Sequence, residues 1–239
     1  MCLFLRSKRV PSRFRFTLRA LMVFVSVASV FMSLKLRQVT AERNFAAAIS
    51  VYPGSFVEYD YQLDNIGNPL VGVEPPTPNW LRSTFVNKFF GRIRFIKLYR
   101  VTHPNTVMTY LPQLGSLEIL EVTNTPLSEA EWRLVGGLPN LHELHIYNTP
   151  LTPQDIGQLS HMQQLEVIYL YNTEVTADGL RSLYSLVNLR CLQADFDECH
   201  VSGECIEELA RALPKCDILV PGRYRGRAPW VTVEDRLAP

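Results

Sequence analysis

The sequence predicts an α/β solenoid: a curved parallel sheet with short helices on its convex side, preceded by a helix–strand N-terminal cap and a transmembrane helix. Three observations carry this expectation. Four blocks of 24 residues follow one another without insertion from Ile93 to Asn188, starting at Ile93, Leu117, Leu141 and Leu165. Each block opens with short-period apolar alternation and closes with helical spacing. An apolar run with basic flanks stands near the N-terminus. A fixed short period means that each unit can bury its apolar face only against its neighbours.

The columns of the repeat define the unit. Position 1 is Ile93, Leu117, Leu141, Leu165; position 4 is Ile96, Leu120, Leu144, Ile168; position 6 is Leu98, Val122, Ile146, Leu170. The 4/6 alternation reads as a short strand with one buried face. Position 9 is Val101, Thr125, Thr149, Thr173, where a small hydroxyl can bond backbone groups as the chain turns away. Position 12 offers Ser128, Thr152 and Thr176 as helix N-caps. Ser128 and Glu131 have capping-box spacing, and Pro153 suits a first helical position. The triads Trp132/Val135/Leu138, Ile156/Leu159/Met162 and Leu180/Leu183/Leu186 then give an inward helix face.

Each unit is therefore strand, turn, short helix, turn. The central lines LEILEVTNTPL, LHELHIYNTPL and LEVIYLYNTEV follow LxxLxLxxTxL, which resembles leucine-rich repeats. The first unit is looser, with Val101 and His103 in place of Thr and Leu. The resemblance implies fold more than function, because the motif residues are the buried ones.

Residues 1–15 form a basic tail expected in the cytoplasm; Arg6, Lys8, Arg9, Arg13, Arg15 and Arg19 stand in the first 19 residues with no acid. Ala20 to Leu34 carries no charge. Fifteen residues make a helix of about 22 Å, short of a bilayer core of roughly 30 Å, whereas Phe16 to Leu36 gives about 31 Å. Arg19 and Lys35 would then snorkel to the two interfaces. Residues 16–36 therefore read as a single transmembrane helix in contact with the lipid bilayer. The basic excess places the N-terminus in the cytoplasm and the repeats on the extracytoplasmic side. A cleaved signal peptide and a soluble core helix are the other readings. Against cleavage, Lys35, Leu36 and Arg37 close the run where a small-x-small site would stand. Cys2 precedes the run, which argues against a lipoprotein.

Residues 38–92 read as an N-terminal cap and a Pro-rich loop. QVTAERNFAAAIS is helix-prone and Pro53-Gly54 stops it. Ser55 to Tyr61 alternates as a strand. Residues 62–79 hold Pro69, Pro75, Pro76 and Pro78 and read as a loop, and Trp80 to Phe90 as an amphipathic helix. Residues 93–220 hold the repeats and a C-terminal cap with a longer helix at Gly203 to Leu213 and a last strand at 216–220. Residues 221–239 read as a mobile tail. This order resembles a group of small membrane-anchored bacterial leucine-rich repeat proteins, a resemblance of architecture that implies no activity.

Composition excludes some functions. The net charge of +1 gives no global argument for nucleic acid. Cys191, Cys199, Cys205 and Cys216 cluster in the terminal unit without zinc spacing; a local Cys199–Cys205 disulfide is the favoured bridge, and Cys216 also reads as a buried core thiol. His142 and His145 form H-x-x-H on a strand, which puts them on opposite sides. No nucleophile is visibly partnered and no phosphate loop occurs. No enzyme activity, cofactor, metal or small-molecule substrate is expected.

The exposed strand face remains. Position 3 reads Phe95, Ile119, Glu143, Val167, Cys191; position 5 reads Lys97, Glu121, His145, Tyr169, Gln193; position 7 reads Tyr99, Thr123, Tyr147, Tyr171, Asp195. Equal positions lie about 4.8 Å apart. Tyr99, Glu121, Glu143, His145, Tyr147, Tyr169 and Tyr171 are the candidate contacts for a protein partner on the concave face. A cationic His145 there would make binding depend on pH near about 6–7. Cross-strand stacking that only stabilises the sheet explains the same tyrosines. The expectation is a non-enzymatic, membrane-anchored interaction module. The alternative is a structural or self-associating envelope spacer; a substrate adaptor of a degradation complex is disfavoured by the apolar anchor.

Overall fold

The computed structural model describes residues 18–64, 69–70, 91–194 and 201–219. The chain divides into two compact units, Met1–Gln38 and Val39–Pro239. The expected basic tail at 1–15, the helix at Trp80 to Phe90, most of the Pro-rich loop and the tail at 221–239 lie outside the described residues.

Helix α1 (Leu18–Ile49) joins what the sequence suggests as two segments. Lys35, Leu36, Arg37 and Gln38 are all good helix formers, so no breaker separates the apolar run from the Ala-rich stretch. Ala20–Ile49 is long and apolar enough to cross a membrane. Met22, Phe24, Val27, Val30, Phe31 and Leu34 are exposed. From residue 39 onward the character changes: Val39, Ala41, Phe45 and Ile49 are buried. Phe45 and Ile49 join the core of the second unit, one turn apart on one helix face.

The second unit is a sheet of seven strands in sequence order: β1 (Phe56–Tyr59), β2 (Ile93–Tyr99), β3 (Ile119–Thr123), β4 (Glu143–Tyr147), β5 (Val167–Tyr171), β6 (Cys191–Ala194) and β7 (Asp217–Leu219). From β2 to β6 the pairing is parallel and each residue faces its equivalent 24 positions on, as Leu120 faces Leu144 and Leu144 faces Ile168. This is the architecture that the repeat columns imply. The cap strand differs from the repeat strands: β1 runs antiparallel to β2, with Val57 opposite Ile96. The short connection from α1 to β1 turns at Gly54, whose φ of +89° glycine tolerates without strain.

Short helices follow the strands: α2 (Pro104–Met108), α3 (Glu129–Gly136), α4 (Pro153–Leu159), α5 (Ala177–Ser182) and α6 (Gly203–Ala212). Glu131 closes the capping box on the Ser128 N–H at 2.6 Å. Asp155 does the same for Thr152 at 2.9 Å. The core fills the space between strand positions 4 and 6 and the inner helix faces, and Trp132, Leu144, Ile168 and Leu180 are fully enclosed in it.

Two polar columns tie successive units together. Val101 N–H donates to Thr125 Oγ1 at 3.1 Å, and Thr125 N–H donates to Thr149 Oγ1 at 3.3 Å. Each of these hydroxyls donates in turn to the carbonyl two residues back, at 3.0 Å. Among the described residues the column ends at Thr173, whose buried hydroxyl finds no hydrogen-bond partner there. At position 8, Asn124, Asn148 and Asn172 hold φ of 49°, 48° and 50°. Asn tolerates that left-handed region better than most side chains. Arg100 takes the same conformation, with φ of 51°, in the looser first unit.

Candidate interaction surface

The helices cover positions 4 and 6, so positions 3, 5 and 7 point to the other face of the sheet. Parallel pairing without a register shift turns each position into a row across the strands. Row 5 runs Lys97, Glu121, His145, Tyr169 and Gln193, and row 7 runs Tyr99, Thr123, Tyr147 and Tyr171.

The two ends of row 5 differ in chemistry. Lys97 Nζ lies 2.8 Å from Glu121 Oε1, and Thr123 Oγ1 donates to the same oxygen at 3.1 Å. Glu121 is buried, with its charge balanced by Lys97 and a hydroxyl. His145 is also buried, at 5% exposure. The sequence places both on an exposed face; long neighbouring side chains cover them instead. The Tyr169 ring lies 4.6 Å from the His145 ring, and Tyr147 meets it edge-on at 6.4 Å. Among the described residues neither ring nitrogen of His145 finds a hydrogen-bond partner. Its Nε2 is 3.4 Å from Glu143 Oε2, an ion-pair distance without hydrogen-bond geometry.

Row 7 is aromatic. Tyr147 and Tyr171 stack with centroids 5.5 Å apart and planes 12° apart. Arg100 sits over the Tyr99 ring at 5.3 Å. Glu143, Tyr147, Tyr169 and Tyr171 are half-buried, which leaves part of each on the surface. The structure thus brings Glu143, His145, Tyr147, Tyr169 and Tyr171 together on β4 and β5. Tyr99 stands apart on β2, and Glu121 lies beneath its lysine.

The lower edge of the sheet, at position 2, carries Arg94, Glu118, His142, Glu166 and Arg190. Arg94 pairs with Glu118 at 2.6 Å and Arg190 with Glu166 at 3.4 Å. His142 lies here, away from His145, as strand geometry requires.

At the C-terminal end Cys205 is a buried free thiol, while Cys191 and Cys216 are half-buried free thiols. Cys199, the expected partner of Cys205, lies outside the described residues, as does Asp195. Burial is the main cause that pushes the Cys191 thiol up to about 11 and the Cys216 thiol up to about 12. Cys216 packs against the core, where the sequence places a buried thiol.

Sequence reasoning missed the Asn column and the Thr152–Asp155 capping box. The recurrence of Asn at 124, 148 and 172 and the T-x-x-D spacing were the available signals.

No family model and no curated protein matches this sequence. Among solved structures, a leucine-rich repeat protein of Leptospira interrogans is similar, at 27% identity over 46% of this chain and 26% of that chain, with a TM-score of 0.35. The repeat architecture therefore stands on this chain's own period and strand register.

Proposed function

We propose that this chain is a non-enzymatic interaction module, anchored in a membrane by the apolar part of α1, whose sheet presents a concave face to a protein partner. The observation that carries the reading is the half-buried aromatic surface of Tyr147, Tyr169 and Tyr171 around Glu143. Tyrosine gives large rigid contact area with a polar tip, and such residues dominate binding energy where they cluster. The N-terminus would lie in the cytoplasm and the repeats outside, by the basic excess in residues 1–19.

The test uses the full chain in a non-ionic detergent as bait for envelope proteins of the source organism. Replacing Tyr147 and Tyr171 with alanine should weaken retention of a captured partner by more than about 1 kcal/mol with the fold intact by circular dichroism. Retained affinity in a folded double variant would move the binding site elsewhere. It would favour the second reading, an envelope spacer in which the Tyr147–Tyr171 stack serves only the sheet. The anchor has its own test: the chain should remain with membranes in alkaline carbonate, and a mature N-terminus after residue 33 would refute it.

A further inference from the structure

We infer that the cleft at the lower edge of the sheet, where the cap meets the starts of β2, β3 and β4, takes the C-terminal carboxylate of a peptide chain. This site stands apart from the concave face and goes beyond the reading above.

The cleft has a volume of about 280 Å³, at the small end for a ligand site. Among the described residues no apolar side chain lines it, so its ligand is polar. Repetition singles out one residue of the wall. The residue just before each repeat strand is Arg92, Ser116, Asn140, Gln164 or Asn188. Four of these tie neighbouring turns together. Ser116 Oγ donates to Ile93 O at 3.0 Å, and Asn140 Nδ2 to Gly115 O at 2.7 Å. Gln164 Nε2 donates to Leu138 O at 2.6 Å, and Asn188 Nδ2 to Gln163 O at 2.7 Å. Arg92 departs from the row: among the described residues its guanidinium has neither a hydrogen bond nor an ion pair. Its backbone is nonetheless fixed. Asp60 N–H donates to Arg92 O at 2.9 Å, and Arg92 N–H donates to Asp60 Oδ1 at 3.2 Å.

Charge then narrows the ligand. The wall holds the guanidiniums of Arg92 and Arg94 and the carboxylates of Asp60 and Glu118. Arg94 is spent on Glu118, with Nε and Nη2 at 2.9 and 2.6 Å from one oxygen. Asp60 Oδ1 also accepts from Tyr61 N–H at 2.9 Å, so two backbone N–H groups hold its charge. What remains is the Arg92 fork, matched in plane and spacing to a single carboxylate. The two acids in the same wall disfavour phosphate, which carries more negative charge.

Span selects a chain end over a small acid. His142 lines the far side of the cleft, half-buried, and its ring has no partner among the described residues. Either tautomer of the ring offers an N–H. The backbones of Arg92 and His142 stand two strands apart, about 10 Å at roughly 4.8 Å per strand. A bare carboxylate is too short for that gap, whereas about three extended residues cover it at roughly 3.3 Å each. The terminal carboxylate rests on Arg92, and a peptide carbonyl behind it accepts from His142.

The experiment titrates the full chain, in a non-ionic detergent, with a fluorescein-labelled Gly/Ser peptide that has a free C-terminus. Its amidated twin, and an amidated twin with a central glutamate, are the matched probes. Both amides should bind about tenfold or more weakly. Arg92→Gln should weaken the free-acid peptide at least about fivefold, and Arg92→Lys, which keeps the charge and loses the fork, should fall between. Arg190→Gln, outside the cleft, should bind like the parent. Acetate and inorganic phosphate should displace the peptide only at concentrations at least about tenfold above its own. Circular dichroism checks the fold of each variant. Equal binding of acid and amide, unchanged affinity in Arg92→Gln, displacement by acetate at the peptide's own concentration, or no binding by the folded chain would each overturn the inference. The Tyr147→Ala/Tyr171→Ala variant should bind the peptide unchanged. Loss of the peptide there, with Arg92→Gln unaffected, would move the carboxylate to the concave face and overturn the cleft while leaving that face as a binding site.

Discussion

Replacing Thr149 with valine removes one hydroxyl from the middle of the threonine column and changes almost no volume. Thr149 is fully buried. Its hydroxyl accepts from Thr125 N–H at 3.3 Å and donates to Tyr147 O at 3.0 Å. Tyr147 O keeps a second donor, Asn124 N–H at 3.0 Å, so the carbonyl stays satisfied. The buried Thr125 N–H loses its partner. One stranded buried donor costs about 1–3 kcal/mol. For a chain of this size, that lowers Tm by about 2–4 °C per kcal/mol. Thr173→Val is the internal control: the same change is made in the same column, but among the described residues its hydroxyl has no partner to lose. That variant should be as stable as the parent or more so. Urea unfolding of the three proteins, followed by circular dichroism, measures the difference. Equal losses at Thr149 and Thr173 would show that the hydroxyls act by something other than inter-unit bonding.

Other substitutions test the packing. Leu144→Ala, in the fully enclosed centre of β4, should cost about 2–5 kcal/mol, whereas the exposed Gln154→Ala should stay within about 0.5 kcal/mol. A Cβ at Gly136 would collide with the backbone oxygen of Gln158, while one at Gly157 meets nothing within 4 Å. Gly136→Ala should therefore destabilise by about 1–3 kcal/mol and force α3 from α4, and Gly157→Ala should gain up to about 1 kcal/mol of helix propensity. Cys191 and Cys216, pushed up to about 11 and about 12, should alkylate with iodoacetamide about a hundredfold and about a thousandfold more slowly, respectively, in the folded chain than in urea. These thiols keep their protons longer when folded, so their contribution to stability is complete below about pH 9 and is lost as pH rises through about 11 and 12.

The repeat was legible because one constraint acts four times: Leu120, Leu144 and Ile168 must meet the same environment, so the same residue type recurs. The rows of the open face followed from strand alternation alone, and Tyr147 and Tyr171 do stack. Burial along those rows was not legible. Glu121 and His145 sit at a nominally outward position, and their cover comes from Lys97 and Tyr169, whose lean across the sheet depends on rotamers. The direction of β1 was hidden for a similar reason. SFVEYDY alternates equally well in either direction, and only its pairing with β2 decides it. The helix α1 ran past the expected boundary because the charges at Lys35 and Arg37 mark a change of solvent, not of backbone.

Site-specific photocrosslinking in cells of the source organism tests the central claim most directly. A benzophenone amino acid is placed at Tyr171 on the open face in one protein and at exposed Gln154 on α4 in another. A binding face requires a discrete crosslinked protein from position 171 and none from position 154. No product from position 171, or the same product from both, would contradict it.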